Sequence, residues 1–418
     1  MNIILFDNQT RAHLLPFTFT RPIAEIRVGI TTIREKWEHA FKAKASFFTQ
    51  DYLSKLFPCV ITDDNLFISG NLLPDNALVA VLKALQCGEA LRDSNNQLLA
   101  LRAGSCEAFT ALDTFKTITY SEEFLCMASK SDIFTYNEMM LNYDFITLTQ
   151  RRKSCGLSAS NKLIGNTKNL FIEAGATIEG VIINCETGPV YIGKNAQVME
   201  GSCIRGPFAI LENAAIKMGT KIYGATTIGP HCKVGGELNN VVMFGYSNKA
   251  HDGFLGNSVV GEWCNIGAGT DASNLKNNYG EVAQWNYASK SYENTGLQFC
   301  GLMMGDHSKC GIGTMFNTGT VIGVGCNLFG SDFHRSFIPS FSTGNRTKGY
   351  TSYSVDKVLE SEQAMFARRQ KVWEKEYADM LLHLSEQGCE IKTSLNILIL
   401  SDINKKNINS PPPSKEAL

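Results

Sequence analysis

Branched aliphatic residues recur on every sixth position at Ile192, Val198, Ile204, Ile210, Ile216, Ile222, Ile228 and Val234. Small or polar residues fill the gaps, with Gly193, Gly206, Gly219, Gly224, Gly229 and Gly235 among them. The period opens earlier at Ile172 and Ile178. It returns in new registers at Phe254, Val260 and Ile266, and at Met304, Cys310, Phe316, Ile322 and Leu328. Eight consecutive hits at one spacing are hard to obtain by chance, so the repeat is read before any other element.

A six-residue aliphatic period flanked by glycine is the signature of a parallel β-helix built from hexapeptide repeats. Each short strand turns one aliphatic inward, three hexads close a triangular coil, and stacked coils bury a column that no single repeat buries alone. The competing reading is a β-sandwich with coincidental spacing. Residues 160–345 are assigned to the β-helix. Its register breaks twice, between Val234 and Phe254 and between Ile266 and Met304. Residues are expected to loop out of the coils there, and loops on a rigid scaffold carry function. The segment from Asp271 to Asn294, rich in Asn, Ser and Tyr, is the best candidate.

At 418 residues the chain exceeds one compact core, so two or three domains are expected. Residues 1–150 alternate strand and helix signals: strands at Ile3–Phe6 and Leu66–Ser69, helices at Gly29–Ala40 and Ala77–Gln86. That alternation predicts an α/β domain with a largely parallel sheet. Helical spacing of Val358, Met365, Val372, Trp373, Met380 and Leu384 predicts a carboxy-terminal helix over 355–388. Arg368, Arg369 and Lys371 fall on its other face, and residues 404–418 read as a disordered tail.

Lys+Arg 39 against Asp+Glu 40 leaves a formal charge of −1, which gives no global electrostatic case for nucleic acid or a membrane surface. The 13 cysteines show no C-x-x-C and no paired spacing, which fits a reducing, cytoplasmic setting better than a disulfide or zinc scaffold. Cys203, Cys232, Cys264, Cys310 and Cys326 are expected as small core or corner residues of the coils. The first apolar run, Ile3 to Phe6, reads as an expected strand rather than a leader, and Ile397 to Leu400 is too short to span a bilayer.

Arg11, Arg21 and Arg27 lie within seventeen residues of one another after the first strand. Guanidinium groups bind phosphate oxygens bidentately, so these three are candidates to ring a triphosphate. No P-loop and no G-x-G-x-x-G is present, which disfavours a kinase or a dehydrogenase. A strand followed by Thr10-Arg11 resembles the opening of sugar-1-phosphate nucleotidyltransferases, with Asp7-Asn8-Gln9 where that family has glycines. Phe67-Ile68-Ser69-Gly70-Asn71 resembles the strand whose closing Asp holds Mg²⁺ in those enzymes. Asn71 lacks the charge expected of a hard Mg²⁺ ligand, and Asp75 is the alternative. The metal ligands therefore stay unassigned.

The segment Ser247-Asn248-Lys249-Ala250-His251-Asp252-Gly253-Phe254-Leu255-Gly256 leads into Asn265-Ile266-Gly267-Ala268-Gly269-Thr270. Together they resemble the acetyltransferase half of bacterial bifunctional N-acetylglucosamine-1-phosphate uridyltransferases. The resemblance, to a divergent branch of that family, covers most of residues 1–385. It implies a left-handed β-helix that trimerises, an amino-terminal half joining an NTP to a sugar 1-phosphate with Mg²⁺, and acetyl transfer from acetyl-CoA to an amino sugar. It also implies His251 as general base, Lys249 at the sugar phosphate, Asn265 at the sugar, Asn274 at the family's next substrate-binding Asn (or, with a four-residue shift, Asn278-Tyr279), and Ala268 where the acyl-CoA passes the backbone. Imidazole suits the base role because the amine that attacks a thioester must lose a proton near neutral pH. Phe254 stands where the family has Tyr, and Glu212 where it has a phosphate-binding Arg, with Lys217 able to compensate. The alternatives are a single active half, or a non-catalytic sugar-nucleotide sensor or scaffold. His231 and His307 are expected to satisfy hydrogen bonds at coil turns, and Trp263 and Trp285 to pack.

Overall fold

A computed structural model describes residues 1–330 and 332–387. The expected tail at 404–418, the apolar run at 397–400 and the last residue of the expected 355–388 helix lie outside the described residues.

The amino-terminal domain is built on six strands: β1 (Asn2–Phe6), β2 (Ala45–Phe48), β3 (Asn65–Ser69), β4 (Glu89–Asp93), β5 (Leu98–Ala103) and β6 (Lys116–Tyr120). Their spatial order is β2-β1-β3-β5-β4-β6. β1 runs parallel to β2 and β3, and β4 parallel to β6, whereas β5 is antiparallel to both β3 and β4. The sheet is therefore mixed rather than largely parallel. The reason is local, since only a tight turn at Asn96, in the left-handed region at φ 65, joins β4 to β5. A parallel return needs a crossover of a dozen or more residues.

Helix α1 (Ile33–Phe41) begins four residues later than expected, because Thr32 and Glu35 form a reciprocal capping box. Gly29, at φ +77, belongs to the preceding turn. Helix α2 (Asn76–Ala84) is capped by Asp75, whose carboxylate accepts from the Leu78 amide at 2.8 Å. A short helix α3 (Asp132–Thr135) and the longer α4 (Asn137–Thr149) complete the domain.

The repeat region forms three ladders of parallel strands, most of them two or three residues long. One buried column runs Ile172–Ile192–Ile210–Ile228–Met243–Val260–Met304–Ile322. A second runs Ile183–Ile204–Ile222–Leu238–Leu255–Ala272–Phe316. The third runs Ile178–Val198–Ile216–Val234–Lys249–Ile266–Cys310–Leu328. Phe254 is half-buried and outside these columns; Leu255 takes the core place, since a one-residue shift sends a strand side chain to the opposite face. Among the cysteines, Cys232, Cys264, Cys310 and Cys326 are buried as expected, but Cys203 faces outward on its strand.

The first register break is not a loop. Phe208 pairs with Thr226, a normal eighteen residues on, but Lys233 pairs with Asn248 only fifteen on. The coil has contracted at its corners. At Gly229 an added Cβ would lie 1.7 Å from the Phe244 carbonyl oxygen, so only glycine allows that approach. The second break is an insertion, as expected: after Ala272 the chain leaves the coils, makes a hairpin of Ala283–Asn286 and Ser291–Asn294, and returns before Met303.

The amino-terminal domain lies along one side of the β-helix. Asn137 accepts from the Gly29 amide at 2.8 Å and donates to the Ala225 carbonyl at 2.9 Å, joining α4 to the coils. Phe17 packs on Phe244, and Phe19 meets Tyr287 of the inserted hairpin edge to face. The expected carboxy-terminal helix is two helices. α5 (Val355–Arg368) stops where Gln370 takes a left-handed φ of 55; the Lys371 amide bonds to Phe366 O and the Gln370 amide to Ala367 O, the paired bonds of a Schellman cap. Helix resumes at 375–387, so Val372 falls in the connection and is exposed. Phe366 stacks on Trp263 at 4.1 Å, and His383 stacks on Tyr52, tying this segment to both halves.

Candidate active site

In open α/β sheets, ligands bind beyond the carboxyl ends of the strands where strand order reverses, here between β1 and β3. Asn8 follows β1 and donates to Ser69 Oγ at 2.8 Å and to Asn71 Oδ1 at 3.1 Å. Asn71 in turn donates to the Met127 carbonyl at 3.0 Å. Asp7 accepts from the Ile23 amide, Thr49 and Arg11, and burial raises its pKa despite the Arg11 charge.

These residues do not fit a protein-held Mg²⁺. The Asn71 amide is already committed at both ends, Asp75 caps α2, and Asp7 is held by three donors. Among the described residues no group of three or more His, Cys, Asp or Glu stands ready for a metal.

The three arginines do not converge on this edge. Arg11 donates to Asp7 at 3.1 Å, to Tyr52 Oη at 2.8 Å and to the Thr18 carbonyl. Arg21 is buried against the β-helix, paired with Asp306 and 3.5 Å from Glu262. Arg27 donates to the Ile30 carbonyl and lies 3.9 Å from Glu35. Each guanidinium was expected to face a ligand, and each makes an internal contact, because a guanidinium removed from water needs a carboxylate or carbonyl partner.

The β-helix gathers its candidates better. Asn248 and Asn265 are ladder partners, and the Gly269 amide bonds to Asp252 O at 2.9 Å, so the His251 corner lies directly against the Ala268 corner of the next coil. His251 and Asn265 are exposed there, and Ala268 is half-buried. Lys249 occupies a core position between Val234 and Ile266, only 2% exposed. Its ammonium turns back to the corner and donates to Gly235 O at 3.0 Å and to His251 O at 2.9 Å, and burial pulls its pKa down to about 8. Lys249 thus braces the His251 main chain from inside rather than presenting its charge outward. Asn274 sits one strand away at the following corner, where it donates to Asn257 Oδ1 at 2.8 Å.

A cationic rim completes this face. Lys233 stands beside Asn248 on the ladder, and Arg369 donates to Asn248 Oδ1 at 3.3 Å. Burial and then the like charges of Arg369, Lys217 and Arg368 lower the pKa of Lys233. The pKa of His231 is lowered by burial, with Lys371 and Arg369 adding to the effect and Glu212 opposing it. His231, Tyr246 and Trp263 hold the left-handed corner positions of successive coils and stack at 4.7 and 4.3 Å. Lys371 lies over the Tyr246 ring. His307 is a corner residue of the same kind, 2.8 Å from the buried Glu362 of α5. Trp285 packs on Phe337, as a packing residue should. Arg368, Arg369 and Lys371 were expected on the helix face opposite its apolar residues; nothing in sequence brings residue 369 to residue 248.

Residues 3–153 match the model of a family described as sugar nucleotidyl transferase. The chain is also similar, at low identity, to proteins named bifunctional protein GlmU. That of Synechococcus elongatus is 26% identical over 191 residues, 40% of this chain and 40% of its own length. That of Trichodesmium erythraeum is 34% identical over 86 residues, 20% of this chain and 18% of its own. The chain therefore spans less than half the length of these relatives. A solved structure of a mutant of AntD, an N-acyltransferase from Bacillus cereus in complex with dTDP and coenzyme A, aligns over 43% of this chain and 91% of its own. It does so at 15% identity and a TM-score of 0.26.

Proposed function

We propose that this protein is a transferase of sugar-nucleotide synthesis whose β-helix moves an acetyl group from acetyl-CoA to an amino sugar. The observation that carries this reading is the shared corner of His251, Asn265 and Ala268, with a cationic rim beside it. As the amine attacks the thioester, a C–N bond forms and the C–S bond breaks. His251 takes the proton the amine loses, and the departing CoA thiolate is reprotonated. The rim cations Lys233 and Arg369 would offset ligand phosphate. The His251 ring makes no hydrogen bond with another described residue, so the ligand or another copy of the chain must orient it. A homotrimer, in which such corners meet between copies, is consistent with that need.

In the same reading the amino-terminal domain joins an NTP to a sugar 1-phosphate, with Mg²⁺ arriving on the nucleotide rather than on a protein carboxylate cluster. A second reading, with only the acetyl half active, is favoured by the committed Asn8–Ser69–Asn71 network and by the internal pairing of Arg11, Arg21 and Arg27. Two assays separate them. Acetyl transfer to a panel of amino sugars and their phosphates is lost in His251→Ala if the first statement holds. Pyrophosphate release over a panel of NTPs and sugar 1-phosphates with Mg²⁺ tests the second half, and no turnover with any pair leaves the acetyl half alone. The setting we propose is cytoplasmic. Among the described residues, no helix is long and apolar enough to cross a membrane.

A further inference from the structure

The amino-terminal sheet is covered differently on its two faces. Ile3, Leu5, Leu66 and Ile68 share one buried cluster with Ile33 and Trp37 of α1 and Leu78 and Leu82 of α2. Ile4 and Phe6 of β1, Phe67 of β3 and Leu101 of β5 point the other way, into a smaller cluster of their own. Residues 105–115 lie on that second face as two short 3₁₀ turns. Phe109 anchors this cover, its ring 5.0 Å from Phe6, 5.0 Å from Phe48 and 5.3 Å from Phe67. The edge strand β2 has an irregular cover too. The Phe47 amide donates to Pro58 O at 3.2 Å, and the Val60 amide to Ser46 Oγ at 3.1 Å. Covering an edge in this way keeps it from pairing with another chain.

The two covers meet at a pair of thiols. Cys59 belongs to the edge cover and Cys106 to the face cover, 47 residues apart in sequence, yet their sulfurs lie 3.9 Å from each other. Both are free and half-buried, so a small oxidant can reach them. Neither sits on an α-helix or a strand, and irregular segments can shift slightly to bring two sulfurs to bonding distance. Burial, and then the neighbouring Cys106, push the pKa of Cys59 up to about 12. Cys59 is therefore protonated at neutral pH, which leaves the first attack on an oxidant to Cys106.

We propose that Cys59 and Cys106 form an oxidation site that closes to an intramolecular disulfide in exchange with a low-molecular-weight disulfide, and so locks the two covers of the sheet together. Cys106 displaces one thiol from the oxidant and forms a mixed disulfide. Cys59 then attacks the Cys106 sulfur, releasing the second thiol. Two S–H bonds of the protein break and one S–S bond forms. The two electrons and two protons given up convert the oxidant to two thiols. In a reducing setting such a bond is transient, which is the behaviour of a redox-sensing pair rather than of a structural disulfide.

Peptide mapping by mass spectrometry of the full-length protein, after incubation with oxidised glutathione or with dithiothreitol, tests the bond. Oxidised wild type should yield a linked Cys59–Cys106 peptide that dithiothreitol removes. The exposed Cys87, Cys155 and Cys203 should carry glutathione at most. Amide exchange on the same samples tests the lock. Exchange in 58–64 and 105–115 should slow by about tenfold or more on oxidation, as expected when a cross-link removes local opening. Cys106→Ser should show neither the linked peptide nor the slowing. The site is overturned if oxidised wild type gives no Cys59–Cys106 peptide, or if glutathione stays on either cysteine without closure. The lock is overturned if the linked peptide forms and exchange in both segments is unchanged, or if Cys106→Ser slows on oxidation as wild type does.

Discussion

Arg21 offers a sharp test of whether an arginine beside the first strand serves a ligand or the fold. Its guanidinium is buried against Asp306, itself 1% exposed, and lies 4.9 Å over the Phe244 ring. Asp306 also accepts from Thr20 Oγ1 at 2.7 Å and from the Glu262 amide at 2.9 Å. Arg21→Met leaves those two donors on Asp306, so it should cost about 2–3 kcal/mol. Asp306→Leu leaves a buried guanidinium with only the partly exposed Glu262 at 3.5 Å, so it should cost about 3–5 kcal/mol. In the double variant no charge is stranded. Its loss should fall short of the sum of the single losses by at least about 1.5 kcal/mol. Urea unfolding of the four proteins, followed by far-UV circular dichroism and tryptophan fluorescence, gives the cycle. Losses that add to within about 0.5 kcal/mol would refute the buried pair. Weakened NTP binding in Arg21→Met with unchanged unfolding would restore Arg21 to the ligand.

Further outcomes follow from the other sites. His251→Ala should lower acetyl transfer by about 10²–10⁴-fold while leaving thermal unfolding unchanged, because the ring is exposed and unbonded. Lys249 has a folded pKa near 8 against 10.5 unfolded, so its penalty is full below pH 8 and is relieved as pH rises through that window. Stability should climb by about 2–3 kcal/mol more in wild type than in Lys249→Met between pH 8 and 10.5, read from urea midpoints. Glu362 is buried 2.6 Å from Lys309 and 2.8 Å from His307, and these two neighbours hold its pKa below the usual value against the effect of burial. Its contribution is present above the unfolded carboxyl pKa and lost as pH falls below it. Glu362→Gln should cost about 2–4 kcal/mol and raise amide exchange across 355–368 first, measured by mass spectrometry.

The repeat was the most legible feature because a β-helix is local in sequence: each coil pairs with the next, so the inward position reappears at a fixed interval. Every six-spaced aliphatic from Ile192 to Val234 is buried in a column. Phe254 misled because a contracted coil shifts the register by one residue, and spacing alone cannot distinguish contraction from a loop. The mixed sheet was missed for a similar reason, since β5 lies beside β3 through a pairing that no local pattern encodes. Among the site residues, His251, Asn265 and Ala268 come together because they lie at corners of successive coils, which stack directly on one another. Lys249 was legible as a residue but not as a direction, because its strand position is a core position and its length lets the charge return to the corner.

The amino-acid sequence by itself determined that a column of aliphatics must be buried six residues apart, and thereby the helix of coils, its corners and the insertion after Ala272. Tertiary structure alone decided which charges are free. Arg11, Arg21 and Arg27 look alike in sequence, yet packing of the two halves supplies each with an internal partner. The physical reason is that solvation and pairing of a charge depend on groups far away in sequence, such as Asp306 for Arg21, and those distances exist only once the chain has folded.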